Sequence, residues 1–196
     1  MNENNGHQSV NEEEVLLLKN NVAKYQDFPI KGILFYDIFS ILSNSNLSKL
    51  LYKNSEIAIL EYFIKSKKEF NLVIGLESRG FLLGSVLADR LNVGFVPIRK
   101  KSKKNTKLPG NILSIDYTTE YSNDSFDLQE ISINSNSKVL LIDDLIATGG
   151  SLEATEKLIN KGGGVISATF CVFEIKGLNG RKKLTDPNSV ISLIEI

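Results

Sequence analysis

The stretch Val139-Leu140-Leu141-Ile142-Asp143-Asp144-Leu145-Ile146-Ala147-Thr148-Gly149-Gly150-Ser151 holds the residue types best suited to chemistry. Its four leading apolar residues read as a buried strand. Two carboxylates stand at the strand's carboxyl end, a Thr-Gly-Gly-Ser turn follows, and residues 152–161 read as a helix. In an open α/β sheet, ligands bind beyond the carboxyl ends of the strands. A glycine turn at a helix start presents backbone N–H groups at the positive end of the helix dipole, which is a seat for phosphate. The segment thus offers an anion cradle and, one turn earlier, two acceptors for hydroxyls or for a metal-bound ligand. Together they suit a sugar phosphate.

Taken alone, Asp143-Asp144 fits a polar strand end as well as a metal-holding pair of the nucleotide-triphosphatase kind. Those enzymes need G-x-x-x-x-G-K-[ST]. Residues 75–80 have the glycine spacing, but Phe81 and Leu82 stand where Lys and Ser/Thr are required, and no G-x-G-x-x-G occurs. The same residues, Gly75-Leu76-Glu77-Ser78-Arg79-Gly80, form a second strand-to-helix turn. Arg79 near a helix start is placed for a bidentate grip on phosphate, or is simply a surface arginine. Residues 99–107 hold six basic side chains in nine. They read as a solvated loop, a nucleic-acid patch, or a loop that closes on a polyphosphate. No aromatic residue is interleaved for base stacking. Glu120, just after a strand, reads on its own as a solvated carboxylate.

Composition narrows the choice. Lys plus Arg and Asp plus Glu are each 23, so the net charge is zero, which argues against a surface devoted to nucleic acid. The only histidine, His7, lies in a polar head (residues 1–11) expected to be disordered. That removes a Ser-His-Asp triad, a Cys-His pair and a His/Cys zinc site. The only cysteine, Cys171, sits in an apolar run and reads as a buried strand residue, so no disulfide forms within the chain. No apolar run approaches the roughly 20 residues of a membrane helix, and the first ten residues lack an apolar centre, so the cytoplasm is the expected location.

Hydrophobic periodicity predicts the elements that must position these residues. Helices are expected over 12–26, where Val15, Leu18, Val22 and Tyr25 repeat at helical spacing, and over 44–65, 79–91 and 152–161. Strands are expected over 70–76, 94–98, 112–118, 126–133, 139–142, 165–173 and 190–194. Residues 28–42 are apolar but irregular, and 181–184 form a short basic segment. Alternating strands and helices predict an α/β fold, a mostly parallel twisted sheet with helices on both faces. At 196 residues, a single domain over 12–196 is expected.

Four blocks together resemble the type I phosphoribosyltransferases, and within them the adenine-using branch. They are Asp27-Phe28-Pro29 with Gly32-Ile33-Leu34-Phe35-Tyr36-Asp37-Ile38; residues 75–84; Phe95-Val96-Pro97-Ile98-Arg99-Lys100 with Lys107-Leu108-Pro109-Gly110; and residues 139–151. The similarity runs over about 27–184. It implies a small amino-terminal hood (about 27–42) and transfer of phosphoribose from 5-phosphoribosyl-1-diphosphate to adenine. AMP and pyrophosphate would leave, and Mg2+ would be held through the substrate rather than by a direct protein site. It further implies a homodimer and no nucleic-acid or membrane partner.

The roles it implies are specific. Asp143 and Asp144 would bind the ribose hydroxyls, and Ala147, Thr148, Gly149, Gly150 and Ser151 the 5′-phosphate. Arg79, with Glu77 and Ser78 joined by a cis peptide, would hold pyrophosphate. Arg99, Lys100, Lys103 and Lys107 would neutralise the leaving group, with Arg99 acting across the dimer. Leu34, Phe35 and Tyr36 would take the base, and Glu120, beside Tyr121, would serve as acid/base. Tyr36 stands where the family has Arg, Ser102 where it often has Gly, and the basic loop is longer than the family's. Two other readings stay open: a phosphoribosyltransferase for hypoxanthine or xanthine, and a non-catalytic sensor of the activated ribose.

Overall fold

The computed structural model describes residues 9–101, 108–118 and 123–196. His7, Ser102, Lys103, Lys107, Glu120 and Tyr121 lie outside the described residues. The chain divides into two compact units, Met1–Ser66 and Lys67–Ile196.

In the first unit, Asn11 caps helix α1 (Glu12–Asn21) by accepting the Glu14 amide, and three glutamates in the first turn complement the helix dipole. The helix stops five residues earlier than the periodicity implies. Val22 turns extended, and Ala23–Gln26 becomes strand β1, paired antiparallel with β2 (Leu34–Asp37). The ladder satisfies the backbone groups a longer helix would have used, and Tyr25, counted on the helical stripe, is exposed. Between the strands, Asp27 accepts the Gly32 amide at 2.6 Å, and the Phe28–Pro29 bond is cis. Helices α2 (Phe39–Leu42) and α3 (Ser45–Ser66) complete the unit. The Glu14 carboxylate joins α1 to α3 through Lys53 Nζ at 2.8 Å and the buried Asn54 amide at 2.7 Å.

The second unit holds β3 (Leu72–Leu76), α4 (Arg79–Arg90), β4 (Gly94–Lys100), β5 (Ile112–Thr118) and β6 (Asn123–Gln129). It continues with β7 (Lys138–Ile146), α5 (Gly150–Lys161), β8 (Val165–Glu174) and β9 (Val190–Glu195). Seven strands form one sheet in the order β5-β6-β4-β3-β7-β8-β9. The run β4-β3-β7-β8-β9 is parallel; β6 joins β4, and β5 joins β6, antiparallel. The mostly parallel sheet expected from the sequence is therefore present. Its second antiparallel strand is displaced: β6 starts earlier and ends at Gln129, and Glu130–Ser132 is a 3-10 turn.

The order also locates a ligand site. The β3-α4-β4 crossover moves one way along the sheet and β7-α5-β8 moves the other. Right-handed crossovers of opposite direction place α4 and α5 on opposite faces, and the reversal between β3 and β7 opens a crevice at their carboxyl ends. The alternation of β-strands agrees. Ile74, Leu76, Val139, Leu141 and Cys171 share one buried cluster with Leu152, Leu158 and Ile159 of α5.

Strand β7 is longer than its apolar run suggests. Asp143, Leu145 and Ile146 still pair with Cys171, Phe173 and Glu174 of β8. The two carboxylates thus lie within the ladder rather than beyond it, because β8 runs equally far and offers them rungs.

Candidate active site

A cleft of about 230 Å³ opens at the carboxyl ends of β3 and β7. Its wall contains every residue from Asp143 to Leu152, together with Leu76, Glu77, Arg79, Lys100 and Phe126. Ten of the residues singled out in the sequence therefore meet here: Asp143, Asp144, Ala147, Thr148, Gly149, Gly150, Ser151, Glu77, Arg79 and Lys100. Ser78 stands at the start of α4 beside them. Leu34, Phe35 and Tyr36 form β2 of the other unit, where Phe35 packs edge-on against Phe28 at 5.1 Å. Sequence reasoning missed Phe126 and Leu76, whose apolar type carries no chemical signal until the sheet order is known.

The turn after β7 is made by backbone. Gly149 takes φ +80°, a conformation that favours glycine, and precedes α5. The amides of the helix's first turn have no partner within the helix and face the positive end of its dipole. The Ser151 hydroxyl is hydrogen-bonded to Tyr117, whose ring stacks on Phe126 at 4.4 Å. Burial pushes the Tyr117 phenol up to about 12; the nearby Asp124 and Asp143 charges add to this and the Ser151 bond opposes it. The phenol is therefore a neutral hydroxyl at physiological pH.

The carboxylates differ. Asp144 is buried and accepts Arg79 Nε at 2.7 Å, so the guanidinium of one turn caps the acid of the next strand. Asp143 accepts the Asp144 amide at 2.9 Å. Packing in the cleft wall, then the neighbouring Asp144 charge, push the Asp143 carboxyl well above its ordinary range; the amide bond and Arg79 act against them. Among the described residues no group of three His, Cys, Asp or Glu is placed to cage a metal. The oxygen-rich cleft wall would suit a magnesium ion that arrives on phosphate oxygens and keeps most of its other ligands.

The turn after β3 is made by side chains. The Glu77–Ser78 peptide is cis, as the resemblance implies. The Glu77 carboxylate accepts Arg99 Nε at 3.0 Å and the Lys100 amide at 2.7 Å. Arg99 also lies over the Phe81 ring, 5.9 Å from its centroid. Within the chain, Arg99 is thus held by Glu77.

The family model for the phosphoribosyl transferase domain matches residues 41–195. An adenine phosphoribosyltransferase of Drosophila pseudoobscura pseudoobscura is 42% identical over 173 residues, covering 88% of this chain and 91% of the relative. A crystal structure of the Rhodothermus marinus adenine phosphoribosyltransferase superposes with a TM-score of 0.82 at 38% identity, covering 95% of this chain and all of the other. The Saccharomyces cerevisiae adenine phosphoribosyltransferase, complexed with adenine and an imino-altritol bisphosphate, gives 0.81 at 36% identity over 93% of this chain and 99% of that one. The chain belongs to the phosphoribosyltransferase family, in its adenine phosphoribosyltransferase branch.

Proposed function

We propose that this chain transfers phosphoribose from 5-phosphoribosyl-1-diphosphate to adenine, releasing AMP and pyrophosphate, a purine-salvage reaction. The observation that carries the reading is the cleft itself: a glycine turn that opens a helix, directly after two carboxylates, at the sheet's reversal point. The 5′-phosphate takes the amides and hydroxyls of residues 147–151. Asp143 and Asp144 hold the ribose hydroxyls, and Arg79, freed from Asp144 as those hydroxyls arrive, turns to the diphosphate. Arg99, Lys100, Lys103 and Lys107 balance the departing charge. Magnesium, when bound with the diphosphate, would supply further charge neutralisation.

The C1′–oxygen bond to diphosphate breaks as the bond to the purine nitrogen forms, through an oxocarbenium-like transition state. Placement and charge stabilisation supply most of the rate. The purine's proton passes to Glu120, a contribution of about 10²–10⁴ in rate. Phe35 stacks on the base and the backbone of Leu34 and Tyr36 reads its edge. Two copies pair so that Arg99 serves the neighbouring site, and the enzyme works in the cytoplasm.

The test is base selectivity. With activated ribose and magnesium, adenine should give AMP, while hypoxanthine and xanthine give no comparable product. Preferential formation of their nucleotides overturns the adenine assignment. Binding of the activated ribose without transfer to any base overturns the enzymatic one.

A further inference from the structure

Behind the phosphate turn lies a segment that the transfer steps above do not use. Gly180 begins a 3-10 turn (Gly180–Lys183) and is buried. A Cβ on Gly180 would run into the Ala147 carbonyl oxygen and stand 2.9 Å from the Gly149 amide nitrogen; a Cβ on Gly149 would run into the Gly180 carbonyl. Two stretches of backbone therefore touch with no side chain between them.

The next residue fixes that contact. Arg181 Nε donates to Glu174 Oε1 at 2.7 Å, and its Nη2 donates to the other carboxylate oxygen. Arg181 Nη1 reaches the Pro187 and Val190 carbonyls at 3.5 Å, and the Ser192 hydroxyl donates to Glu174 at 2.8 Å. The Glu174 side chain is 3% exposed, so this two-pronged pair is the fixed point of the segment. Glu174 is also the rung opposite Ile146, the last residue of β7 before the turn. A second tie runs to α5, where Glu156 accepts the Thr185 amide at 3.0 Å and its hydroxyl at 3.1 Å. The segment grips the turn at its start, its middle and its helix.

We infer that Arg181 is a positioning residue for the phosphate site: through Glu174 it holds Gly180 against residues 147–149, so that the amides converge before the ligand arrives. The physical gain is preorganisation, which lowers the ordering cost of binding. The inference rests on reading this turn as the seat of the 5′-phosphate.

The experiment compares Arg181→Gln, Arg181→Lys and Gly180→Ala with the parent. For Arg181→Gln and Gly180→Ala, the KM for 5-phosphoribosyl-1-diphosphate and the calorimetric Kd for ribose 5-phosphate should rise about tenfold, with the KM for adenine moving less than about twofold. Arg181→Lys keeps the charge but not the fork, and should recover part of the loss. Equal rises in both KM values overturn the inference, as does a lowered thermal midpoint with unchanged ribose 5-phosphate binding. Should the variants fail to fold, amide exchange on the unaltered protein decides. Ribose 5-phosphate should slow exchange at 180–184 along with 148–151, and protection confined to 148–151 overturns the inference. If no purine accepts the phosphoribosyl group, the proposed function fails, yet ribose 5-phosphate binding still reports on Arg181.

Discussion

The turns after β3 and β7 occupy equivalent places, each leading from the carboxyl end of a central parallel strand into a helix, and they face one cleft. They are built from opposite materials. Residues 147–151 present main-chain amides, shaped by Gly149 at φ +80°. Glu77 and Arg79 present charged side chains, each already engaged: Glu77 with Arg99, and Arg79 with Asp144. Backbone donors are fixed by the fold and cost no rotamer entropy when an anion lands. Side-chain donors must exchange one partner for another. The β7 turn therefore offers fixed donors, whereas the cation of the β3 turn is held by a carboxylate that an incoming anion would have to displace.

Four perturbations break or sharpen that contrast. The largest effect is expected where the two turns meet. Asp143→Asn with Asp144→Asn should lower turnover by about a thousandfold or more while leaving the protein folded, since ribose alignment and the release of Arg79 both depend on the pair. Steady-state rates with a melting curve check this, and loss of folding would assign the pair a structural role.

Next, Gly149→Ala places a side chain at a strained φ against the Gly180 carbonyl and should raise the KM for the activated ribose about a hundredfold. An unchanged KM would mean that the amides do not form the seat. Smaller again, Arg79→Lys keeps a cation but loses the planar fork, and kcat/KM should fall about tenfold with adenine binding unaltered. A loss equal to that of Gly149→Ala would erase the distinction between fixed and exchangeable donors.

The smallest effect is on stability. At pH below the ordinary carboxylate range, about 4, Asp143 is protonated in both folded and unfolded chains, so parent and Asp143→Asn should melt alike. As pH rises, the unfolded chain ionises first while the raised folded carboxyl keeps its proton, and the parent loses stability that the variant retains. Calorimetry should show the variant melting higher by a gap of about a few degrees that opens above pH 4. A gap that closes with rising pH would contradict the raised Asp143 carboxyl.

The contrast also explains what the sequence made legible. The β7 turn could be read because glycine, threonine and paired aspartates announce their chemistry within thirteen contiguous residues. Arg79 alone was ambiguous, since the partner that defines it, Asp144, lies on a strand met much later in the chain. Gly180 carried no signal of its own, and Arg181 read only as the start of a short basic segment. Only tertiary packing shows one against the turn and the other on a buried acid. The sheet's parallel run followed from the alternation of elements. The early stop of α1 did not, because Tyr25 satisfied a helical stripe while strand pairing won the backbone. The reach of β7 through Ile146 was hidden for a similar reason, since polar residues in a ladder read as its end.

The sheet order carries one more implication, for the path by which the chain assembles. Strand β3 lies between β4, which begins at Gly94, and β7, which begins only at Lys138. The first seam joins neighbours in the chain, whereas the second requires a long loop to be drawn together, and folding slows with such non-local pairing. The Arg79–Asp144 contact spans that second seam. The two turns can therefore share one cleft only after that longer loop has been drawn in, so the cleft is a product of the most distant pairing in the sheet's centre.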